Sequence, residues 1–221
     1  MSTTPLPEPR WRRLPEERPR QILEAALEVF ADRGLSAARL EDIAKRAGVS
    51  KGTIYLYFPN KEELFREVVR TSVISYIEQA EADLTSQADA EQALREWMSG
   101  YWAWLRTPVF PAMHRLVNSE MHHFPDLAAF YAKEVIERVH RLICGMLERA
   151  MEQGRLRRMD PLVAARMLSA LFITHALWYH QRTSFKSIAR VSDRLLLDQI
   201  RDFFFHAMRP DDAAAAPHAH S

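Results

Sequence analysis

The chain is read as all-α: an N-terminal three-helix head followed by a larger C-terminal helical bundle, about nine helices in total. Three observations carry that expectation. Apolar residues recur at helical spacing along most of the chain, and no stretch alternates in the manner of a half-buried strand. Only 6 glycines occur in 221 residues. Start and stop signals punctuate the pattern, from Ser50 and Asn60 near the N-terminus to Asp160-Pro161 far along it.

The first helix is read from QILEAALEVFADRG, which follows Arg20. Leu40, Ile43 and Ala47 then put apolar groups on one face of a short second helix, with Glu41, Asp42, Lys45 and Arg46 on the other. Ala44 is small enough for another helix to cross close by. Gly48 ends this helix, because a left-handed backbone is cheap only for glycine. Ser50 suits the N-cap of a third helix, since its hydroxyl accepts from the unpaired backbone N–H groups. Lys51, Gly52 and Thr53 form that helix's first turn, and Ile54 and Phe58 pack inward. Tyr55 and Tyr57 carry hydroxyls toward solvent, although Tyr55 also reads as a core aromatic. Asn60-Lys61-Glu62-Glu63 is a capping box that opens the next helix. Two short helices joined by so tight a turn can lay the second in a DNA major groove, where its first turn meets base edges and nearby hydroxyls meet phosphates.

Beyond Phe65 the pattern is one of longer helices. The helix starting at Lys61 runs on through Val68, Val69, Val73 and Ile77. Asp89 begins the next, with Leu94, Trp97, Met98, Tyr101, Trp102, Trp104 and Leu105, until Thr107-Pro108 interrupts it. A short piece spans residues 113–121. Phe124-Pro125-Asp126 opens a long helix that Gly154 ends. Asp160-Pro161, an aspartate N-cap with proline at the first helical position, opens a helix that is apolar nearly all round. The last helix runs from about Ser192 to Met208, with Leu196, Ile200, Phe203 and Phe204 at helical spacing. Four regions follow: residues 1–17 as a basic, proline-rich arm, 18–66 as the DNA-binding head, 67–208 as a ligand-binding and dimerisation body, and 209–221 as a tail.

The head residues resemble the TetR family of transcriptional repressors. The order Gly, Val-Ser-Lys-Gly-Thr, then Tyr-x-Tyr-Phe-x-Asn-Lys-Glu-x-Leu-Phe carries the likeness, which covers roughly the first third of the chain. It implies that Lys51, Gly52 and Thr53 approach bases, and that Ser50, Tyr55, Tyr57 and Lys61 hold phosphates. Arg39 stands where family members often have a threonine that caps the second helix. An arginine cannot cap an N-terminus, but it can reach a phosphate. The resemblance also implies a homodimer, double-stranded DNA with a palindromic operator as partner, and a small-molecule inducer.

The residues support the same partners on their own terms. A helix apolar on all sides must be covered on all sides. Leu168, Leu171 and Phe172, with Leu196, Ile200, Phe203 and Phe204 of the last helix, are therefore expected at a four-helix dimer interface, unless they only fill the protomer's own core. Two symmetric heads would read a palindrome, whereas one short helix reads too few bases for useful specificity. An aromatic and methionine set in the body, Trp97, Tyr101, Trp104, Met113, His114, Val117, Met121, Phe130, His175 and Trp178, is expected to line a pocket for an apolar or aromatic compound, cationic ones included. Each of these aromatics also has an ordinary place in a helical core.

Composition narrows the rest. The net charge is +1, so a DNA-binding face has to come from local clustering, to which Arg10, Arg12, Arg13, Arg18 and Arg20 contribute. One cysteine, Cys144, excludes an intramolecular disulfide. The longest apolar run, residues 167–179, is judged too short for a bilayer, and no signal peptide is visible, so the chain is placed in the cytoplasm with no membrane partner. His122 and His123 are adjacent and point apart on a helix; no metal, cofactor or enzymatic activity is expected. Other readings stay open: an activator with the same head, or a helical ligand-binding protein whose head no longer reads DNA.

Overall fold

The computed structural model of the chain describes residues 17–85, 87–184 and 190–210. The N-terminal arm with Arg10, Arg12 and Arg13, and the tail after residue 210, lie outside them. Among the described residues the fold is all helical, with nine helices when segments continuous through a π turn are joined. The chain divides into two compact units, Met1–Val68 and Val69–Ser221.

The first unit holds α1 (Glu17–Ala37), α2 (Leu40–Ala47), α3 (Lys51–Tyr57) and most of α4 (Lys61–Val69). Its interior is built from the inward faces of all four. Ile22, Val29 and Phe30 of α1, Ile43 of α2, Ile54 and Phe58 at α3, and Leu64 and Phe65 of α4 are buried. Phe30 and Phe65 meet edge to edge-on face at 6.1 Å. Each such side chain stabilises the head by about 2 kcal/mol relative to exposure. The local signals fall where the chemistry needs them. Gly48 sits at φ 68°, ψ 30°, and its N–H closes α2 onto Ala44 and Lys45 carbonyls. The Ser50 hydroxyl accepts from the Thr53 N–H at 3.0 Å, and the Asn60 side chain accepts from the Glu63 N–H at 2.7 Å.

The second unit begins in a π-helical segment, Arg70–Ile74, and continues as α5 (Ser75–Thr85). It goes on through α6 (Ala90–Leu105), α7 (Val109–Glu120), a 3-10 turn at Met121–His123, and α8 (Pro125–Tyr131). A second π segment, Ala132–Glu137, leads into α9 (Arg138–Glu152), followed by α10 (Pro161–His180) and α11 (Asp193–Ala207). Leu94, Met98 and Leu105 of α6, Ile143 and Leu147 of α9, Leu168 and Phe172 of α10, and Ile200 and Phe204 of α11 share one buried cluster. The two long helices expected from the sequence, one from Lys61 and one from Pro125, are each interrupted by a π turn. Such a turn accommodates one extra residue without breaking the helix, so it leaves no glycine or proline to announce it.

Helix α10 revises one expectation. It starts at Pro161, where the Asp160 side chain accepts from the Leu162 and Val163 N–H groups at 2.8 and 3.0 Å. Its 20 residues are long and apolar enough by length and composition to cross a membrane. The run counted from residue 167 is too short because Arg166 ends it early; the helix itself continues back past that residue. Only 33% of this span is buried within the chain. The Asp160 cap anchors the start of the helix. Replacing it by alanine, Asp160→Ala, is expected to destabilise the protein by about 1 kcal/mol, read as a lower urea midpoint by circular dichroism. An unchanged midpoint would show that the cap carries no stability.

Candidate functional site

The head presents α3 to solvent. Ser50, Lys51 and Gly52 are exposed in its first turn, and Thr53 is half-buried beside them. Further along, Tyr55 is 44% exposed and Tyr57 37%, so neither is a core aromatic, whereas Ile54 beneath them is fully buried. Leu56, between the tyrosines, is 80% exposed. Sequence reasoning passes over it, because a lone leucine in an amphipathic pattern is assigned inward by default. Its signal is the pair Ile54 and Phe58, four residues apart on the inward face, which leaves Leu56 midway between them on the opposite face.

Two lysines of this surface, Lys51 and Lys61, are already engaged. Lys51 Nζ lies 2.7 Å from the Glu41 carboxylate of α2, and the Tyr55 hydroxyl donates to the same oxygen at 3.4 Å. The Lys51 ammonium also stands 5.8 Å from the centre of the Tyr55 ring. The hydrogen bond from Lys51 holds the Glu41 carboxyl below its usual range, and the reciprocal bond raises Lys51. Arg39 occupies the N-cap position of α2 in extended conformation with no side-chain cap bond. The loop that would lose a cap is held from another side. Lys61 Nζ donates to the Ser36 carbonyl at 2.8 Å and approaches that of Ala38 at 3.5 Å. In the free chain Lys61, which the resemblance places at a phosphate, ties the end of α1 to the start of α4, where unpaired helix-end carbonyls attract a cation.

The body encloses a cavity of about 270 Å³. Of the residues expected to line a pocket, Trp97, Tyr101 and Trp104 of α6 and His114 and Val117 of α7 surround it. The spacing argument for the α6 aromatics is realised as a row of stacked rings. Trp97 and Tyr101 lie 4.6 Å apart at 20°, Tyr101 and Trp104 6.4 Å apart at 6°, and Tyr76 from α5 joins Trp104 at 5.7 Å and 20°. Trp104 is fixed by its indole N–H, which donates to the Ser72 carbonyl at 3.3 Å.

The other five expected residues are not brought to this cavity. Met113 is buried in the core, since it lies one residue before His114 and so about 100° round the helix. Met121 is buried at the 3-10 turn that ends α7. Phe130 packs under the Arg70 guanidinium at 5.6 Å. His175 and Trp178 border a separate cavity of about 80 Å³ with Trp102 and Leu196. Tyr76, Tyr131, Val135 and Ser169 line the larger cavity without having been singled out. Tyr131 and Val135 are turned there across a π segment that the sequence does not announce, and Ser169 reads in sequence only as a break in an apolar run. Burial pushes the phenols of Tyr76 and Tyr101 well up and that of Tyr131 up to about 12, so all three remain protonated at neutral pH.

The residues expected at a dimer face divide in two. Leu168, Phe172, Ile200 and Phe204 are buried within the single chain, in one cluster with residues of α6 and α9. Leu171 and Leu196 are half-buried against the same core. Phe203 is 65% exposed. The apolar residues that α10 turns outward are Leu162, Val163, Met167 and Trp178, and α11 adds Leu195. A helix apolar on both sides gives the periodicity no means of telling inward from outward.

Comparison with known proteins agrees with both units. Residues 22–68 match the N-terminal domain described as bacterial regulatory proteins of the tetR family, and residues 92–206 match the C-terminal domain described as that of AefR-like transcriptional repressors. The chain belongs to the TetR family of bacterial transcriptional regulators. Among relatives, this TetR-family chain is 38% identical over 92 residues to a fatty acid metabolism regulator protein of Bacillus subtilis, a match that covers 41% of this chain and 47% of the relative. The aligned part is thus under half of that protein. A transcriptional regulator from Saccharomonospora viridis, solved in complex with choline, is 26% identical with a TM-score of 0.70, over 87% of this chain and 98% of its own. The regulator FadR from Bacillus subtilis, solved in complex with stearoyl-CoA, shares the fold at 23% identity with a TM-score of 0.67, over 86% and 99% of the two chains.

The cavity histidine gives the body a pH dependence. Burial holds the His114 imidazole below its ordinary value of 6.5, and the same holds for His175. Unfolding restores the ordinary value, so the unfolded chain binds more protons at acid pH. The stability is fully present above about pH 6.5 and is lost as pH falls through that value toward the lower folded one. Acidification from about pH 7.5 to about pH 5.5 is expected to lower the urea midpoint, and less so in His114→Gln, which has no proton to gain. Equal acid sensitivity in the two proteins would assign the loss elsewhere.

Proposed function

We propose that the chain is a homodimeric repressor that holds a palindromic operator and releases it when a small molecule occupies the body cavity. The observation that carries this reading is the capped, solvent-facing α3, which displays Lys51, Thr53, Tyr55, Leu56 and Tyr57 on one short helix. In this reading Lys51, Gly52 and Thr53 meet base edges, and Leu56 meets a thymine methyl group. Ser50, Tyr55, Tyr57 and Arg39 hold phosphates. Lys51 leaves Glu41 for the DNA, a cheap exchange because both side chains are exposed and their pair is screened by salt. The setting is the bacterial cytoplasm.

The outward stripe of α10 and α11 supports the dimer. Leu162, Val163, Met167, Trp178, Leu195 and Phe203 leave a long apolar face uncovered in the single chain. A second copy of the same face covers it with twofold symmetry, and a bilayer does not explain why the opposite face of α10 packs on α6 and α9. Two heads then meet successive turns of the duplex.

The release step is supported by the cavity and by the two π segments that border it, through Val73 on one and Val135 on the other. A π turn is an alternative register within a helix, and such turns recur at functional sites. The segment with Val73 continues directly from α4. A ligand that fits one register better than the other shifts the balance between them, but only by its difference in affinity for the two. The choline and stearoyl-CoA held by the two solved regulators show that those proteins take small molecules; here they support a ligand of some kind, not either compound.

Two experiments test the proposal. In a selection of random duplex DNA on the purified protein, a palindrome should be enriched. Lys51→Ala should alter the preferred bases, while Tyr57→Phe should weaken all sequences alike by about 1 kcal/mol, roughly fivefold. Recovery of no common sequence would reject the DNA-reading role. In sedimentation velocity the wild-type protein should run as a dimer, and Met167→Glu combined with Phe203→Glu should run as a monomer with its helix content retained. A dimer that survives both charges would place the interface elsewhere.

A further inference from the structure

The wall of the body cavity holds a buried hydroxyl with nothing to do. Ser169 of α10 is 6% exposed and borders the cavity, and among the described residues it is the one buried polar side chain. Its hydroxyl has no hydrogen-bond partner. A serine within a helix ordinarily returns its proton to the carbonyl one turn back. Here that bond is not made, and a buried hydroxyl left unpaired calls for a partner that enters the cavity.

The rest of the wall restricts what that partner is. Among the described residues lining the cavity there is no Asp, Glu, Lys or Arg. The lining phenols are protonated and burial disfavours a charge on His114; His140, whose ring nitrogen pairs with the Ile136 carbonyl at 2.8 Å, also lines the wall. A buried ion needs a counter-charge or a full set of hydrogen bonds, and no carboxylate, lysine or arginine lines this wall to supply the charge. The aromatic row does not replace them. Cations are recognised through open ring faces. Tyr101 lies between Trp97, four residues before it, and Trp104, three after it, so stacked neighbours stand on both of its sides along the helix. Trp104 in turn has Tyr76 stacked against it and Phe110 edge-on at 6.0 Å. Rings stacked on one another have fewer faces free for a cation, while ring edges suit an aromatic face or an oxygen lone pair.

We infer that the cavity takes an uncharged, compact, largely apolar molecule, preferably aromatic, whose hydroxyl or carbonyl oxygen pairs with the Ser169 hydroxyl. This rests on the reading of the chain as a ligand-released regulator and adds the chemical class of the ligand.

The test uses the full chain and four probes in calorimetric titration at neutral pH: 2-naphthol, naphthalene, 2-naphthoate and N,N,N-trimethylanilinium. The expected result is that 2-naphthol binds at least tenfold more tightly than either charged probe. Ser169→Ala should weaken 2-naphthol about threefold to tenfold and leave naphthalene unchanged, because only the first loses a hydrogen bond. Comparable affinity for 2-naphthoate or the anilinium, an equal effect of Ser169→Ala on both neutral probes, or no binding by 2-naphthol would each overturn the inference. Release is tested separately, by the effect of 2-naphthol on binding to the selected DNA. Tight binding of 2-naphthol that leaves DNA affinity untouched would retain the ligand class and reject release.

Discussion

Helix α10 carries more apolar surface than its own chain covers, and the organisation of the body follows from how that surface is shared. One side, through Ala165, Leu168, Phe172 and Ala176, is buried against the core that α6, α9 and α11 complete. The other, through Leu162, Val163, Met167 and Trp178, is left outward. These four residues are 37–59% exposed, so each forgoes roughly 1 kcal/mol of burial in an isolated protomer. Between the two sides sits Ser169. The same helix thus contributes to the core, to the cavity wall and to the uncovered face, and no change at one of these sites is mechanically remote from the others.

The head solves a different problem with short-range chemistry. It has to hold a seven-residue helix in a fixed orientation while leaving most of that helix exposed. Seven residues do not make a stable helix in water. The orientation comes from three devices: the left-handed turn at Gly48, the Ser50 cap, and the buried pair Ile54 and Phe58. Lys61 adds a fourth by bonding to the carbonyls of Ser36 and Ala38, which steadies a connection whose capping position is occupied by Arg39. An arginine at that cap is therefore tolerated because the structure does not depend on it. What remains exposed, Lys51, Gly52, Tyr55, Leu56 and Tyr57, has no place in the buried core of the head.

Much of this was legible in the residues. The caps at Ser50, Asn60, Asp160 and Ser192 all accept the backbone N–H bonds that their types suggest, and the terminal glycine Gly48 takes the backbone that only glycine takes cheaply. Such signals are local, and local chemistry is what a sequence states directly. Trp97, Tyr101 and Trp104 were legible for the same reason, since spacings of three and four fix a shared face. The rest depends on which neighbour a face meets. Met113 and His114 differ by one residue, and only the position of α7 against the body decides which of them meets the cavity. Phe172 and Met167 lie on one apolar helix, and hydrophobicity alone does not say which of its sides is covered by its own chain. The π segments were invisible because they need no special residue.

The cavity wall makes the last of these points consequential. That no Asp, Glu, Lys or Arg is among the described residues lining it is not a matter of composition, since charged side chains make up 27% of the sequence. Charge is kept away from it by geometry. Glu78 and Glu81 of α5 pair with Arg138 of α9, and that arginine's bonds to Glu81 run at 2.8 and 2.6 Å, so two of the elements that border the cavity spend their charges on each other. A charged group moved into the wall would have to leave such a partner and lose its water as well, and a charged ligand faces the desolvation half of that cost alone. An uncharged ligand with one oxygen faces neither, and it gains the bond that Ser169 lacks. The discrimination follows from which groups are already satisfied, and it would persist if individual apolar residues of the lining were exchanged for others of similar size.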